Sequence, residues 1–291
     1  MLRSLQFYRL SSKNLLSFKT CHSFYSTKAS SPLPQPSFRR FWKNTATKIQ
    51  NGEVLIQLDG RNLKSPSGKI VKVPKEMELL AHLIALEWDR LPSTSVRQHN
   101  LPITSLVSRA IDISQFKKEE KELLSTQLIR FLDTDTILIY SPETEYEGKL
   151  LEEQKENWWP LKETFENKLG VQLSYLDGDA GIIAHKQTQE THERIRNWLS
   201  SLNSWQLAAF ERSVSCCKSF IVSFMILKGY LNSEKAAALT NLELQYQTNR
   251  WGSLEDAHEI DNEDLKYKLA SSAILSRCIE DMHDKSNEHA H

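Results

Sequence analysis

Six carboxylates crowd one short stretch of the chain, from Trp251 to Lys266, together with an indole and a glycine. The carboxylates are Glu255, Asp256, Glu259, Asp261, Glu263 and Asp264. Acidic residues ahead of a helix commonly form a solvated face that complements the positive end of the helix dipole. Beside this structural interpretation stands a functional one, in which the acids and Trp251 contact a partner.

Carboxylates near a histidine could also bind a divalent cation through their oxygens. His258 lies among Glu255, Asp256 and Glu259, but the order of these residues does not match a calcium loop. No HExxH motif occurs elsewhere in the sequence. A metal-assisted hydrolase or transferase that uses the His258 cluster is therefore an open alternative and not the main hypothesis.

Sequence motifs for nucleotide or nucleophilic chemistry are also missing. The nine glycines form neither GxxxxGK[ST] nor GxGxxG, and no GxSxG occurs. Cys216 and Cys217 lack CxxC spacing and lie in an apolar helical pattern, where burial would raise the pKa of a thiol and leave it inert. The residues thus indicate a binding protein that has no catalytic residues, no cofactor and no metal.

Two places combine an indole with acids, as expected where a surface must hold an apolar partner and repel wrong ones. They are Glu87 with Trp88, and Trp251 with Glu255 and Asp256. We predict partner contacts at these five residues. For each indole, ordinary packing in the core is the competing interpretation.

The first 40 residues differ in charge from the rest of the chain. They carry seven of the 37 Lys and Arg residues and none of the 37 acids, and they are rich in serine. This composition is typical of a mitochondrial or chloroplast transit peptide, with a plausible cleavage at Tyr25-Ser26. The remainder has 30 basic against 37 acidic side chains, a net charge of −7. A negative net charge argues against nucleic-acid binding. The sequence contains no run of about 18 apolar residues, so it does not predict a helix that spans a membrane.

Short β-branched runs between residues 46 and 73 predict an antiparallel meander. Asn51-Gly52 and Asp59-Gly60 suit two-residue hairpin turns because these residues tolerate positive φ, and Ser65 to Gly68 predicts a third turn. A helix over 74–89 follows and is expected to cover the sheet. Further strands are predicted at 136–140 and 181–184.

Helical periodicity dominates the rest of the chain. The predicted helices span residues 101–113, 117–131, 150–157, 188–202, 204–228, 233–250 and 261–282. Thr104 is the expected cap of the first, Pro160 either kinks or starts a helix, and Gly229 ends the helix that begins at 204. Ser233 is expected to begin the next one.

These elements predict an α+β fold with a small antiparallel β-rich N-terminal domain and a mainly α-helical C-terminal domain. The predicted segments are a transit peptide and linker (1–40), a β-rich domain with covering helices (41–145), a helical domain (146–285) and a polar tail (286–291). The boundary lies at residues 141–145, which are polar and contain a proline. We expect a monomer, because no coiled-coil heptad or long unpaired strand edge indicates an oligomer.

Motifs spaced along the chain from Arg40 to Met282 resemble those of one known family. In the first half they are Arg40-Phe41-Trp42-Lys43, Leu58-Asp59-Gly60-Arg61-Asn62-Leu63-Lys64-Ser65-Pro66, Ala85-Leu86-Glu87-Trp88-Asp89, and Leu101-Pro102-Ile103-Thr104 with Ala110-Ile111-Asp112. In the second half they are Leu132-Asp133-Thr134-Asp135-Thr136, Gln154 with Trp158-Trp159-Pro160-Leu161, Lys218-Ser219, and Glu243, Gln247, Trp251-Gly252, Glu255-Asp256 and His258. Their order is similar to that of the mitochondrial assembly chaperones that bind the alpha subunit of the F(1) sector of ATP synthase.

The resemblance implies an ATP-independent chaperone of the mitochondrial matrix. Such a protein would bind the unassembled alpha subunit and prevent its aggregation until the beta subunit replaces it. The resemblance also implies a functionally sensitive acid at Glu255, with Asp256 as its neighbour. A structural helical adaptor that stays in the respiratory assembly is a further alternative.

Overall fold

The structure is a computed structural model of the 291-residue chain. It describes residues 38–92, 95–96, 100–176, 178, 186–252 and 257–288. Residues 1–37 of the predicted transit peptide and linker, the predicted strand 181–184 and the candidate residues Glu255 and Asp256 lie outside the described residues. The residues from Phe38 onward form one compact unit.

Among the described residues, six strands form two antiparallel sheets. β1 (Phe38–Arg39) pairs with β6 (Ser95–Val96). The larger sheet has four strands, in which β3 pairs with each of the other three. Its strands are β2 (Thr45–Gln50), β3 (Glu53–Leu58), β4 (Arg61–Asn62) and β5 (Lys72–Pro74). The predicted meander is therefore confirmed.

The turns of this sheet follow the predicted chemistry. Asn51 and Gly52 have φ values of 52° and 77°, and Asp59 and Gly60 have 46° and 77°. Two successive positive φ values are what a two-residue hairpin of the right twist needs, and Asn, Asp and Gly adopt them at the lowest cost. The third predicted turn is also present, with the N–H of Gly68 bonded to the carbonyl of Ser65 at 2.9 Å.

The helix that follows the sheet covers its apolar face. α1 (Glu78–Asp89) begins after a short 3-10 helix, Lys75–Met77, and packs against β2 and β3. Leu80 and Ile84, one turn apart, are fully buried on this side of α1. The prediction that this helix covers the sheet is thus confirmed. α1 also packs against the next helix of the chain.

Helices form most of the remaining described residues. They are α2 (Pro102–Ile113), α3 (Lys118–Asp133), α4 (Lys149–Leu169), α5 (Gln189–Ser201), α6 (Ser204–Cys217), α7 (Phe220–Leu227), α8 (Ser233–Thr240), α9 (Leu242–Trp251) and α10 (Ala257–Glu288). Every residue of α7 is buried, so that this short helix lies at the centre of the helical region. No described helix is both long and apolar enough to cross a bilayer.

Two predicted long helices are each divided into two. The predicted helix 204–228 breaks into α6 and α7 because Lys218 adopts a left-handed conformation, with φ 54°. Ser219 then caps α7 by accepting a hydrogen bond from the N–H of Val222 at 3.0 Å. The predicted helix 233–250 is likewise divided at Asn241, between α8 and α9. Gly229 follows α7 with φ 68°, as predicted for a helix end.

Three further predictions about elements need correction. The predicted strand 136–140 is wrong: Thr136–Leu138 is a 3-10 helix, and Ile139 forms only an isolated bridge to Leu176. The carboxylate of Asp135 caps this turn and thereby favours it over an extended strand. Pro160 lies inside one continuous helix, α4, and α10 is longer than predicted at both ends, so that it includes the start of the predicted tail.

One hydrophobic core extends through the described residues, from Trp42 near the first strands to Ile279 in the last helix. α10 packs against α2, α6, α7 and α8, and it also reaches the 3-10 helix Lys75–Met77 beside the sheet. The division into domains at residues 141–145 stays a prediction.

Candidate partner-binding site

Glu87, a predicted partner residue, joins the end of α1 to the start of α2. Its carboxylate accepts hydrogen bonds from the backbone N–H groups of Ile103 at 2.7 Å and Thr104 at 2.9 Å, and from the Thr104 hydroxyl at 2.7 Å. Backbone N–H groups in the first turn of a helix have no partner within the helix, so Glu87 caps α2 from a neighbouring helix. The prediction that Thr104 caps α2 is wrong, because Leu101 holds the N-cap position.

Trp88, the second predicted partner residue, is packed in the core. Its indole N–H donates to the Thr104 hydroxyl at 3.0 Å, and its ring lies 5.0 Å from that of Trp42. Only 7% of Trp88 is exposed. Burial raises the pKa of the Glu87 carboxyl, against the hydrogen bonds from Thr104 and Ile103 that lower it. The contacts described for this pair hold α1 and α2 together; partner contact through them stays a prediction.

Trp251, in contrast, presents its indole to solvent. It is the last residue of α9 and is 65% exposed. Its ring packs against Tyr146 at 5.5 Å, and Tyr146 packs against Tyr246 at 5.3 Å. The guanidinium of Arg250 lies 5.6 Å from the centre of the Tyr146 ring, within range of a cation–π interaction. We call Tyr146, Tyr246, Arg250 and Trp251 the aromatic cluster.

The backbone beneath the aromatic cluster is strained. Tyr146, Glu147 and Gly148 have φ values of 52°, 60° and 74°, so that three successive residues are left-handed. For a residue with a side chain, this conformation costs roughly 1–2 kcal/mol. The ring contacts of Tyr146 and an ion pair between Glu147 and Lys149 at 2.7 Å hold the turn in place. Strain of this kind persists where surrounding contacts compensate for it, often at functional sites.

A cleft of about 550 Å³ opens beside the aromatic cluster, between α4, α8 and α9. Tyr246 and Arg250 belong to both the cleft and the cluster. Lys235 adds positive charge, Glu153 adds negative charge and Leu242 adds apolar surface. Trp, Tyr and Arg are the residue types that contribute most of the energy at protein–protein interfaces. The arrangement is therefore suited to binding a protein through apolar and charged contacts together.

Catalytic and metal chemistry receive little support from the described residues. Burial raises the pKa of the Cys217 thiol to about 12 and also raises that of Cys216, which is the direction predicted for unreactive thiols. Within the described part of the chain, no three His, Cys, Asp or Glu side chains are placed to hold a metal ion. The cluster around His258 includes Glu255 and Asp256, so this finding does not test it.

Sequence reasoning found one of the four residues of the aromatic cluster. Tyr246 and Arg250 are four residues apart on α9 and thus share a face, a spacing that links them to each other but not to Trp251. Tyr146 lies about 100 residues earlier in the chain, and its left-handed backbone leaves no mark in the sequence. Only the structure brings it to the cluster.

The described residues thus define an α+β protein whose aromatic cluster presents the indole of Trp251 to solvent. A sequence profile of the family described as ATP12 chaperone protein matches residues 39–166. The chain is 99% identical over 291 residues to Protein atp12, mitochondrial, of Schizosaccharomyces pombe, with 100% of both chains covered. It is 31% identical over 271 residues to Protein ATP12, mitochondrial, of Saccharomyces cerevisiae, covering 82% of this chain and 83% of that one.

The crystal structure of Atp12 from Paracoccus denitrificans has the same fold. It superposes with a TM-score of 0.68 at 24% identity, covering 82% of this chain and 97% of that one. The chain belongs to the ATP12 family of chaperone proteins. The resemblance found in the sequence and the predicted α+β fold class are both confirmed.

Proposed function

We propose that the protein is a chaperone of the mitochondrial matrix that binds the unassembled alpha subunit of the F(1) sector of ATP synthase. It prevents aggregation of this client until the beta subunit replaces it. Membership of the ATP12 family supports a role in F(1) assembly. The names of the two relatives and the basic, acid-free first 40 residues support a mitochondrial location.

The observation that carries this proposal is the aromatic cluster, which ends in the exposed indole of Trp251 four residues before Glu255. An orphan subunit exposes the apolar surface that it later buries, and large exposed apolar patches aggregate. Trp251 supplies an anchor for such a surface, and the acids Glu255 and Asp256 discriminate against wrongly charged partners. The binding stays reversible because the assembled interface can bury more area than the chaperone does.

The five predicted partner residues have different parts in this proposal. Trp251, Glu255 and Asp256 contact the client directly. Glu87 and Trp88 act indirectly, since their described hydrogen bonds fix the start of α2. The protein performs no catalysis and needs no cofactor or metal for this function.

Dilution of denatured alpha subunit into the purified chaperone, followed by light scattering, tests the proposal. Wild-type protein should suppress scattering, whereas Trp251→Ala and Glu255→Lys should weaken binding by about tenfold or more, as loss of an interface anchor does. Circular dichroism should show that both variants are folded. A wild-type protein that does not suppress scattering would contradict the function.

Matched substitutions outside the site provide the controls. Tyr230→Ala removes an aromatic side chain that is 50% exposed. Tyr230 follows Gly229, which lies close to Glu280 near the C-terminal end of α10. Glu193→Lys reverses an exposed charge on α5. Both should act as the wild type does, and full activity of Trp251→Ala and Glu255→Lys would refute the site. A pull-down that recovers free alpha subunit without mature enzyme would exclude the structural adaptor.

A further inference from the structure

A second binding site is formed by a cleft of about 430 Å³ between α2 and α6. We infer that this cleft binds one carboxylate group of the client polypeptide, with Arg212 and Ser108 as its ligands. The inference rests on the proposed function, because it takes the carboxylate from the same client. Ser105 and Ser215 also line the cleft.

Arg212 provides the positive charge of this cleft. Its side chain is half-buried, and within the described residues it forms no ion pair; one N–H group donates to the Ser105 hydroxyl at 3.0 Å. That hydroxyl in turn donates to the carbonyl of Pro102 at 3.0 Å, so Ser105 holds the guanidinium in place. A guanidinium has five N–H donors in a planar fork, and four of those on Arg212 remain for a ligand.

Ser108 supplies a second donor that the fold itself does not use. It is 5% exposed, and its hydroxyl has no hydrogen-bond partner among the described residues. A buried hydroxyl without a partner is unfavourable, because it has lost its bonds to water. Helical serines often donate to the carbonyl one turn earlier, as Ser213 does to Ala209 on α6, but Ser108 does not. A ligand oxygen in the cleft would satisfy it.

The charge balance of the cleft indicates which anion fits. Arg109 pairs with Glu211 through two hydrogen bonds of 2.7 and 2.8 Å, and Asp112 pairs with Lys69 at 2.8 Å. These two pairs are neutral, so Arg212 leaves a single positive charge uncompensated. A carboxylate carries one negative charge and matches the planar fork of a guanidinium. The second charge of a phosphate would lie unpaired near Glu211 and Asp112.

The position of the cleft favours a carboxylate that belongs to the client. α10 packs against both α2 and α6, the helices that form the cleft, and its early turns begin six residues after Trp251. Those turns continue the stretch that contains Glu255 and Asp256. A client that presents a base to these acids could therefore present an acid to Arg212. Two opposite charges on one protein discriminate between partners better than either charge alone.

Titration of the full chain with N-acetylglutamate amide, followed by nuclear magnetic resonance, tests the site without the client. Sodium chloride at equal ionic strength serves as the reference. The side-chain N–H of Arg212 and the amide of Ser108 should shift and saturate, and Arg212→Gln should abolish the response. Arg196→Gln, an exposed arginine on α5, should preserve it. The inference would be overturned if no resonance shifts saturably, or if inorganic phosphate binds more strongly than N-acetylglutamate amide does.

Affinity for the alpha subunit tests the source of the carboxylate. Arg212→Gln should weaken client binding by about tenfold or more, as expected when a charge-assisted hydrogen bond is lost. Ser108→Ala should also weaken it while leaving the protein at least as resistant to urea, because it removes an unsatisfied hydroxyl. An unchanged affinity of Arg212→Gln for the client would overturn the inference, even if N-acetylglutamate amide binds to the wild-type protein.

The two measurements keep the inference and the proposed function separate. If the wild-type protein binds no alpha subunit, the proposed function fails, and the inferred client carboxylate fails with it. If the wild type binds the client and Trp251→Ala weakens it, but Arg212→Gln does not, only the inferred site fails.

Discussion

At the scale of single residues, Asp135 is a fully buried carboxyl group that joins two parts of the fold. Its oxygens accept hydrogen bonds from the N–H groups of Ile137 at 3.1 Å and Ile221 at 3.0 Å. The residue therefore caps both the 3-10 helix Thr136–Leu138 and α7. Burial raises its pKa from 3.8 to about 6, despite these bonds and one from Ser219 that lower it.

This pKa makes stability depend on pH in a defined direction. Between pH 3.8 and about 6 the folded protein holds a proton on Asp135 that the unfolded chain has released. The free energy of unfolding should therefore fall as pH rises through this window, by roughly 3 kcal/mol in total from this group. Urea unfolding of the wild type and Asp135→Asn, measured at several pH values, should show this change in their difference.

The variant also provides the internal control for this prediction. Asp135→Asn removes the titratable group and places an amide N–H₂ opposite a backbone donor, which lowers stability by an amount that does not depend on pH. A constant difference between the two proteins from about pH 4 to pH 7 would contradict the raised pKa of Asp135.

How far the sequence predicts single residues depends on what determines their environment. The burial of Cys217 follows from the apolar pattern around it, and the structure agrees. Glu87 beside Trp88 is visible as a pair of residue types, but their shared partner, Thr104, is 16 or 17 positions away. Whether such a pair faces solvent or another helix depends on tertiary packing, which a local pattern does not contain.

At the scale of elements, the junction of α6 and α7 depends on two residues. Lys218 turns the chain by its left-handed conformation, and Ser219 is completely buried as the cap of α7. The cap satisfies an N–H group at the start of a helix whose every residue is buried, where no water can replace it. The junction should therefore contribute to the stability of the whole core.

Ser219→Ala should lower the free energy of unfolding by about 1–3 kcal/mol, because it removes the cap and leaves a buried N–H without a partner. Chemical denaturation with urea measures this loss. Ser200→Ala, at an exposed serine of α5, should change the free energy of unfolding by less than about 0.5 kcal/mol. Equal effects of the two substitutions would show that the cap is unimportant.

The sequence predicts elements well where the backbone needs a special residue. The hairpins form at Asn51-Gly52 and Asp59-Gly60 because these residues adopt positive φ at low cost. The sequence does not predict the breaks at Lys218 and Asn241, because neither glycine nor proline marks them and the helical periodicity continues across them. Tertiary contacts, such as that of Asp135 with the start of α7, decide where these helices end.

At the scale of the whole molecule, the described residues share one continuous core. α2 packs against α6, and α10 packs against α1 and α2, so the sheet region and the helical region are held together by helices from both. Extensive apolar contact between two regions makes them unfold together. We therefore expect one cooperative transition for the part of the chain that the structure describes.

Native-state hydrogen exchange can measure this cooperativity. Amides of β3 in the sheet and of α7 in the helical region should report the same free energy of opening, equal to the global value. The transitions seen by circular dichroism and by tryptophan fluorescence should coincide. Two distinct transitions would instead support the predicted division into domains at residues 141–145.

The last helix also has a consequence for the order in which the protein can mature. α10 covers α6 and α8 and reaches the 3-10 helix beside the sheet, although the ribosome makes α10 after all three. Until residue 257 and those after it have emerged, Leu269, Leu275, Cys278 and Ile279 are absent from a core whose other members are already present. Every nascent copy therefore passes through a stage in which its own apolar surface is uncovered, and a nonsense mutation before α10 would make that stage permanent.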